Sequence, residues 1–175
     1  MNDESQRSKL YGKYLGTVVD LRDPDGRGRV RVSVPQVFIS AETWADPCVP
    51  FAGKDVGFFF LPKVGSMVWV EFQAGEATHP IWTGCLWTKN DIPAADRPGD
   101  TPDIKFLKTE KFMIRIDDAE GKLTIAVRGD NGSNIVIDAN QIASESNTIT
   151  NKASSRKTEL TGTSFNVNDG ALEVM

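Results

Sequence analysis

Residues 14–35 read YLGTVVDLRDPDGRGRVRVSVP, and this stretch decides how the rest of the chain is read. Its first part, residues 13–21, places Leu15, Thr17, Val19 and Leu21 on one side of an extended segment. DPDGRG follows as a Pro/Gly turn opened by an aspartate, a residue that folds back on its own backbone. After the turn, Val30, Val32 and Val34 fall on one face and Arg29, Arg31 and Ser33 on the other. Two runs of period two joined by a turn predict a β-hairpin.

Three further runs extend the pattern: VGFFFLP (56–62), SMVWVEFQ (66–73) and HPIWTGCLW (79–87). Their near-continuous apolar character suggests strands buried on both faces. No window of a dozen residues has the i, i+3, i+4, i+7 spacing of an amphipathic helix, so the expected class is all-β. Five principal strands in some 75 residues fit a small Greek-key barrel of the OB type over residues 11–88, behind an N-terminal extension at 1–10.

The composition then changes. TKNDIPAADRPGDTPD (88–103) holds three prolines and four aspartates without periodicity, which predicts a linker over 89–104. Beyond it, over 105–175, short alternating segments recur: KFMIRIDD, GKLTIAV, SNIVID and SFNVND. Between 140 and 170, 15 of 31 residues are Ser, Thr or Asn. Each strand offers one or two large apolar side chains, worth about 1.5–3 kcal/mol apiece when buried, against an ordering cost of about 1–2 kcal/mol per residue. Alone, such a segment does not fold. Three copies around a common axis pair every edge and share one dry core, so the expected structure is a β-solenoid or an intertwined β-prism. Its expected core residues are Ile135, Ile137, Ile149, Leu160, Phe165 and Val167.

The net charge of −4 is evenly spread: residues 11–88 carry 7 basic and 8 acidic side chains, and residues 105–175 carry 9 and 10. That balance argues against a general nucleic-acid binder. MNDESQRSKL at the start has no apolar signal region, and no stretch reaches the length of a spanning helix. Cys48 and Cys85 are expected to be buried free thiols, as in a reducing compartment.

Taken together, the two halves resemble the central spike of a phage-type contractile tail, the baseplate assembly protein V type, with kinship to the valine-glycine repeat proteins of type VI secretion. The resemblance is carried by Gly16, Val18, Asp23, Pro24, Gly28, Arg29, Val30, Val32 and Pro35, and by a second block with Trp44, Gly53, Gly57, Pro62, Val64, Gly65, Val68, Val70, Phe72, Gly75, Pro80 and Gly84. It implies a homotrimer docked under a hub protein, with three C-terminal segments joined in a trimeric intertwined β-helix, a needle that pierces the target cell envelope, and a PAAR-repeat tip protein at its end. It also implies synthesis in the bacterial cytoplasm and assembly into a phage tail or injection-system baseplate. Relative to the family, no lysozyme domain separates barrel from needle, and no His-x-His tip motif is present.

No catalytic or metal site is expected, and no cofactor is required. His79 is the sole histidine, too few for a structural zinc site. Asp20, Asp23 and Asp25 read as turn formers, as do Asp117, Asp118 and Glu120, and no Gly-x-Ser-x-Gly elbow accompanies the serines. The rival reading is a single-strand nucleic-acid barrel using Arg22, Arg27, Arg29 and Arg31 with Trp69, Trp82 and Trp87. A third is a trimeric receptor-binding fibre. Arg27, Arg29, Arg31 and Trp44 also suit contacts with a hub or neighbouring protomer, and the loops PDGRG and ISAETWADP are the candidate hub-facing segments. The closing NVNDGALEVM places Ala171, Leu172, Val174 and Met175 as an apolar platform for a tip protein.

Overall fold

In a computed structural model, residues 9–89, 91–92, 103–129 and 132–174 are described. The chain divides into two compact units, with the division after residue 92. The first contains β1 (Tyr14–Asp20), β2 (Val30–Ser33), β3 (Glu42–Pro47), β4 (Ala52–Gly53), β5 (Val56–Gly57), β6 (Met67–Phe72) and β7 (Pro80–Cys85). Five of these close into a barrel in the order β1-β2-β3-β7-β6, with β6 returning to pair with β1. All neighbours are antiparallel except β3 and β7. This is the OB arrangement expected from the sequence.

The interior is mostly valine. Val18, Val30, Val32, Val34, Ala45, Val68, Val70, Phe72 and Trp82 are all buried. Period two thus works on β2 as expected, with Val30, Val32 and Val34 inside. On β1 the inner row is Gly16 and Val18, whereas Leu15, Thr17 and Val19, on the other side, are half-buried. The reason is steric. A Cβ on Gly16 would stand 2.9 Å from Val70 Cγ2, so the glycine leaves room that the β6 valine fills. A barrel this narrow cannot hold a large side chain at every inward position. Phe72 closes one part of the core, meeting Tyr14 and Phe38 edge to face at ring separations of 5.4 and 6.1 Å.

Three expectations fail here. The barrel's third strand is Glu42–Pro47, lying in a segment read as a loop, because its Ala45 is the one small inward residue and its outward neighbours are polar or aromatic. VGFFFLP contributes only the two-residue β5, and Phe58, Phe59 and Phe60 stay exposed outside the barrel. Apolar content was mistaken for burial; a strand also needs a ladder partner, and this segment has one only at Val56–Gly57. The cysteines are free, as expected, but exposed rather than buried.

The second unit holds β8 (Ile104–Lys108), β9 (Phe112–Asp117), β10 (Lys122–Val127), β11 (Asn134–Ile137), β12 (Ile142–Glu145), β13 (Thr148–Ala153), β14 (Arg156–Thr161), β15 (Phe165–Val167) and β16 (Leu172–Val174). They form two antiparallel meanders, β12-β11-β10-β9-β8 and β13-β14-β15-β16. Turn chemistry fixes the hairpins. Asp117 accepts the Glu120 N–H at 3.1 Å between β9 and β10, and Asp138 accepts the N–H groups of Asn140 and Gln141 between β11 and β12. Among the described residues of this unit, only Asp117 is buried.

Candidate functional site

Register shows what the second unit presents. In antiparallel ladders, directly opposed residues share a face. Across the first meander, Leu107, Ile114, Ile125 and Ile135 line up in one row, and Ile116, Leu123, Ile137 and Ile142 in the next. Phe112 and Val127 add a further opposed pair. Across the second meander, Ile149, Leu160, Phe165 and Val174 form one row, and Thr158, Val167 and Leu172 lie in the row beside it. The opposite face is mixed on the first sheet, with Phe106, Met113 and Val136 beside Arg115, Thr124 and Asn134, and polar on the second, with Thr150, Glu159 and Asn166.

Each sheet therefore has one face on which large apolar residues dominate, and a single chain leaves much of it bare. Ile135 is 41% exposed, Leu160 48% and Ile142 75%. The six residues expected in a needle core divide accordingly. Ile135 and Ile137 share the apolar face of the first sheet; Ile149, Leu160, Phe165 and Val167 share that of the second. Leu107, Phe112, Ile114, Ile116, Leu123, Ile125, Val127 and Ile142 belong to the same faces and were missed, although the alternation in KFMIRIDD and GKLTIAV carried the signal. Of the expected tip residues, Leu172 and Val174 lie in β16, opposite Val167 and Phe165. Ala171 is in the preceding turn, and Met175 lies outside the described residues.

The barrel's second candidate surface is the outer side of β2 and β3. Arg29 donates to Asp23 Oδ1 through Nε at 2.9 Å and Nη2 at 2.7 Å, and its guanidinium sits 5.7 Å from the Trp44 ring centroid. Asp23 also accepts the N–H groups of Asp25, Arg27 and Arg29, which folds the turn around one carboxylate. The Arg29 hydrogen bond, with these backbone donors, holds the Asp23 carboxyl well below the usual carboxylate range despite some desolvation. Asp20 is held low in the same way, chiefly by Arg22. Arg31 pairs with Glu42 at 3.1 Å, and Arg27 lies 3.1 Å from Asp46 in an ion pair without hydrogen-bond alignment. Arg27, Arg29, Arg31 and Trp44 are thus brought together. Each of the four arginines invoked for a nucleic-acid groove has a carboxylate partner, which offsets part of the positive charge such a groove needs.

His79 is a loop residue: its N–H bonds to the Glu76 carbonyl, and its carbonyl accepts from Gln73. Among the described residues, no three His, Cys, Asp or Glu side chains gather as metal ligands.

A closed five-stranded OB barrel is thus followed by a separate unit of two antiparallel sheets with exposed apolar rows. Residues 14–87 match the type VI secretion system/phage-baseplate injector OB domain, and residues 104–173 match the phage baseplate V C-terminal trimerisation domain. The chain belongs to this family of baseplate and type VI spike proteins. Similar proteins include the type VI secretion system spike proteins VgrG2a and VgrG2b of Pseudomonas aeruginosa, each 28% identical over 145 residues and 73% of this chain. The chain spans only 17% and 14% of their respective lengths.

Proposed function

We propose that the chain is the central spike of a contractile tail or injection-system baseplate, acting as a homotrimer that docks under the hub and pierces the target envelope. The observation that carries this reading is the contrast between the two units. The barrel buries nine apolar side chains, while among the described residues of the second unit none is buried. The match of residues 104–173 to a trimerisation domain supports the same reading.

In the trimer, the apolar rows of the two sheets turn toward the axis, and Ile135, Ile137, Ile149, Leu160, Phe165 and Val167 form part of a shared core. The polar face of the second sheet, with Thr150, Glu159 and Asn166, meets water. Stiffness comes from backbone ladders continued along the needle, and alternation locks their register. The work is mechanical, and no residue is assigned a catalytic role. The β2–β3 surface with Arg27, Arg29, Arg31 and Trp44 meets the hub: its ion pairs are ordered on the barrel, so they give orientation at little entropic cost. Leu172 and Val174 continue the apolar rows to the distal end, where with Ala171 and Met175 they seat a PAAR-type tip protein.

Purification of the tagged chain from its native host tests the role. Sheath, hub or tail-tube proteins arriving with it are the expected result. A chain that arrives alone, or with nucleic acid released by salt, contradicts it.

A further inference from the structure

The barrel carries an apolar patch that folding of one chain leaves uncovered. After β3 the chain forms the β4–β5 hairpin and returns through Phe58, Phe59 and Phe60. Phe58 and Phe60 stack with ring centroids 4.5 Å apart. Phe59 lies over Gly28, where an added Cβ would stand 3.1 Å from its ring and where the backbone is left-handed at φ +76°. The aromatic ladder is therefore seated on the barrel, yet Phe59 is 72% exposed and Phe51 60%. These side chains border a cavity of about 280 Å³ also lined by Trp82. The Trp82 indole N–H is buried and has no hydrogen-bond partner among the described residues, an uncommon state in a finished structure.

We propose that this patch is a contact between copies of the chain: within the trimer, the β4–β5 hairpin and Phe58–Phe60 of one barrel pack against a second barrel. The proposal rests on the homotrimeric reading above. Two observations select this occupant. Between Cys48 and Pro62 the only charged residues are Lys54 and Asp55, one of each sign. A neutral patch meets its own copies without like-charge repulsion, whereas a charged partner is better matched by the ion-paired surface of β2–β3. Further, residues 104–173 match a trimerisation domain, so three barrels are tethered to one assembly by the short chain after residue 92. Tethering of this kind raises effective concentration into about the millimolar range, at which a small aromatic patch suffices.

The test uses the full chain. Sedimentation reports its oligomeric state, and hydroxyl-radical labelling read by mass spectrometry reports the accessibility of Phe51, Phe58 and Phe60. The wild-type trimer is expected to label several-fold more slowly at these rings than the Phe59→Glu variant, with the variant still trimeric through its needle. Val56→Glu, on the facing strand of the hairpin, must raise labelling likewise, and Phe59→Leu must leave it low. A wild-type trimer whose rings label as fast as those of Phe59→Glu overturns the proposal. Rings protected only after hub protein is added overturn it too, and assign the patch to the hub. A wild-type monomer defeats the homotrimeric reading itself, and sedimentation recognises that failure whatever the labelling shows.

Discussion

Replacing Ile135 with Ala probes the apolar face of the second unit at a defined point. Ile135 lies opposite Ile125 on one side and Ser144 on the other, and 41% of its surface remains exposed in a single chain. Full burial of an isoleucine is worth about 1.5–3 kcal/mol, so covering the remaining part contributes about 0.6–1.2 kcal/mol per chain. Three copies in one trimer bring this to about 2–4 kcal/mol, or roughly one to three powers of ten in the equilibrium between trimer and separated chains. Thr150→Ala, exposed on the polar face of the second sheet, is the control, with an expected effect within about 0.5 kcal/mol. The assay is guanidinium unfolding followed by sedimentation at several protein concentrations, which separates dissociation from loss of structure within a chain. Equal midpoints for the two variants would refute the argument, because they would show that the bare side of Ile135 meets nothing in the assembly.

Other outcomes follow from the barrel. Gly16→Ala forces a Cβ to within 2.9 Å of Val70 Cγ2 and is expected to cost about 1–3 kcal/mol by overpacking, with partial rescue by Val70→Ala in thermal unfolding. Val32→Ala removes two fully buried methyl groups and is expected to cost about 2–3 kcal/mol, read as a lower denaturant midpoint of the barrel. Asp23→Asn is expected to lower the barrel's melting temperature at neutral pH. Because the folded carboxyl titrates below its unfolded value, the aspartate's contribution is present above about pH 4 and is lost as pH falls through the folded value, so the gap between wild type and variant must close in acid. A labelled single-stranded oligonucleotide is expected to show no binding even at low salt, since Arg22, Arg27, Arg29 and Arg31 are already paired; tight, salt-sensitive binding would restore the nucleic-acid reading.

How much of this was legible depended on what each residue had to say locally. Val30, Val32 and Val34 announced their face because they alternate with arginine and serine. β1 did not, since its inward row contains Gly16 and its outward row contains Leu15 and Val19; only contact with Val70 reveals which side is the core. Phe58–Phe60 misled for the opposite reason: composition gave hydrophobicity, but burial depends on a ladder and a cover that lie elsewhere in the chain. β3 was hidden by its polarity, with Glu42 and Arg31 pairing across the outside of the barrel. In the second unit, alternation located β9, β10, β11 and β15, whereas β13 and β14 were marked only by Ile149 and Leu160 among polar neighbours, and their bounds come from cross-strand register. The arginine–carboxylate pairs were out of reach, because Arg27 with Asp46 and Arg31 with Glu42 depend on how β2 and β3 align.

The central claim is that residues 105–174 complete their core only with copies of themselves. The mass of the intact chain by sedimentation velocity in plain buffer, beside that of a chain ending near Asp100, tests it most directly. The account predicts three chain masses for the first and loss of the trimer in the second. A full-length chain that sediments as one folded mass, with its needle strands protected from hydrogen exchange, would contradict it.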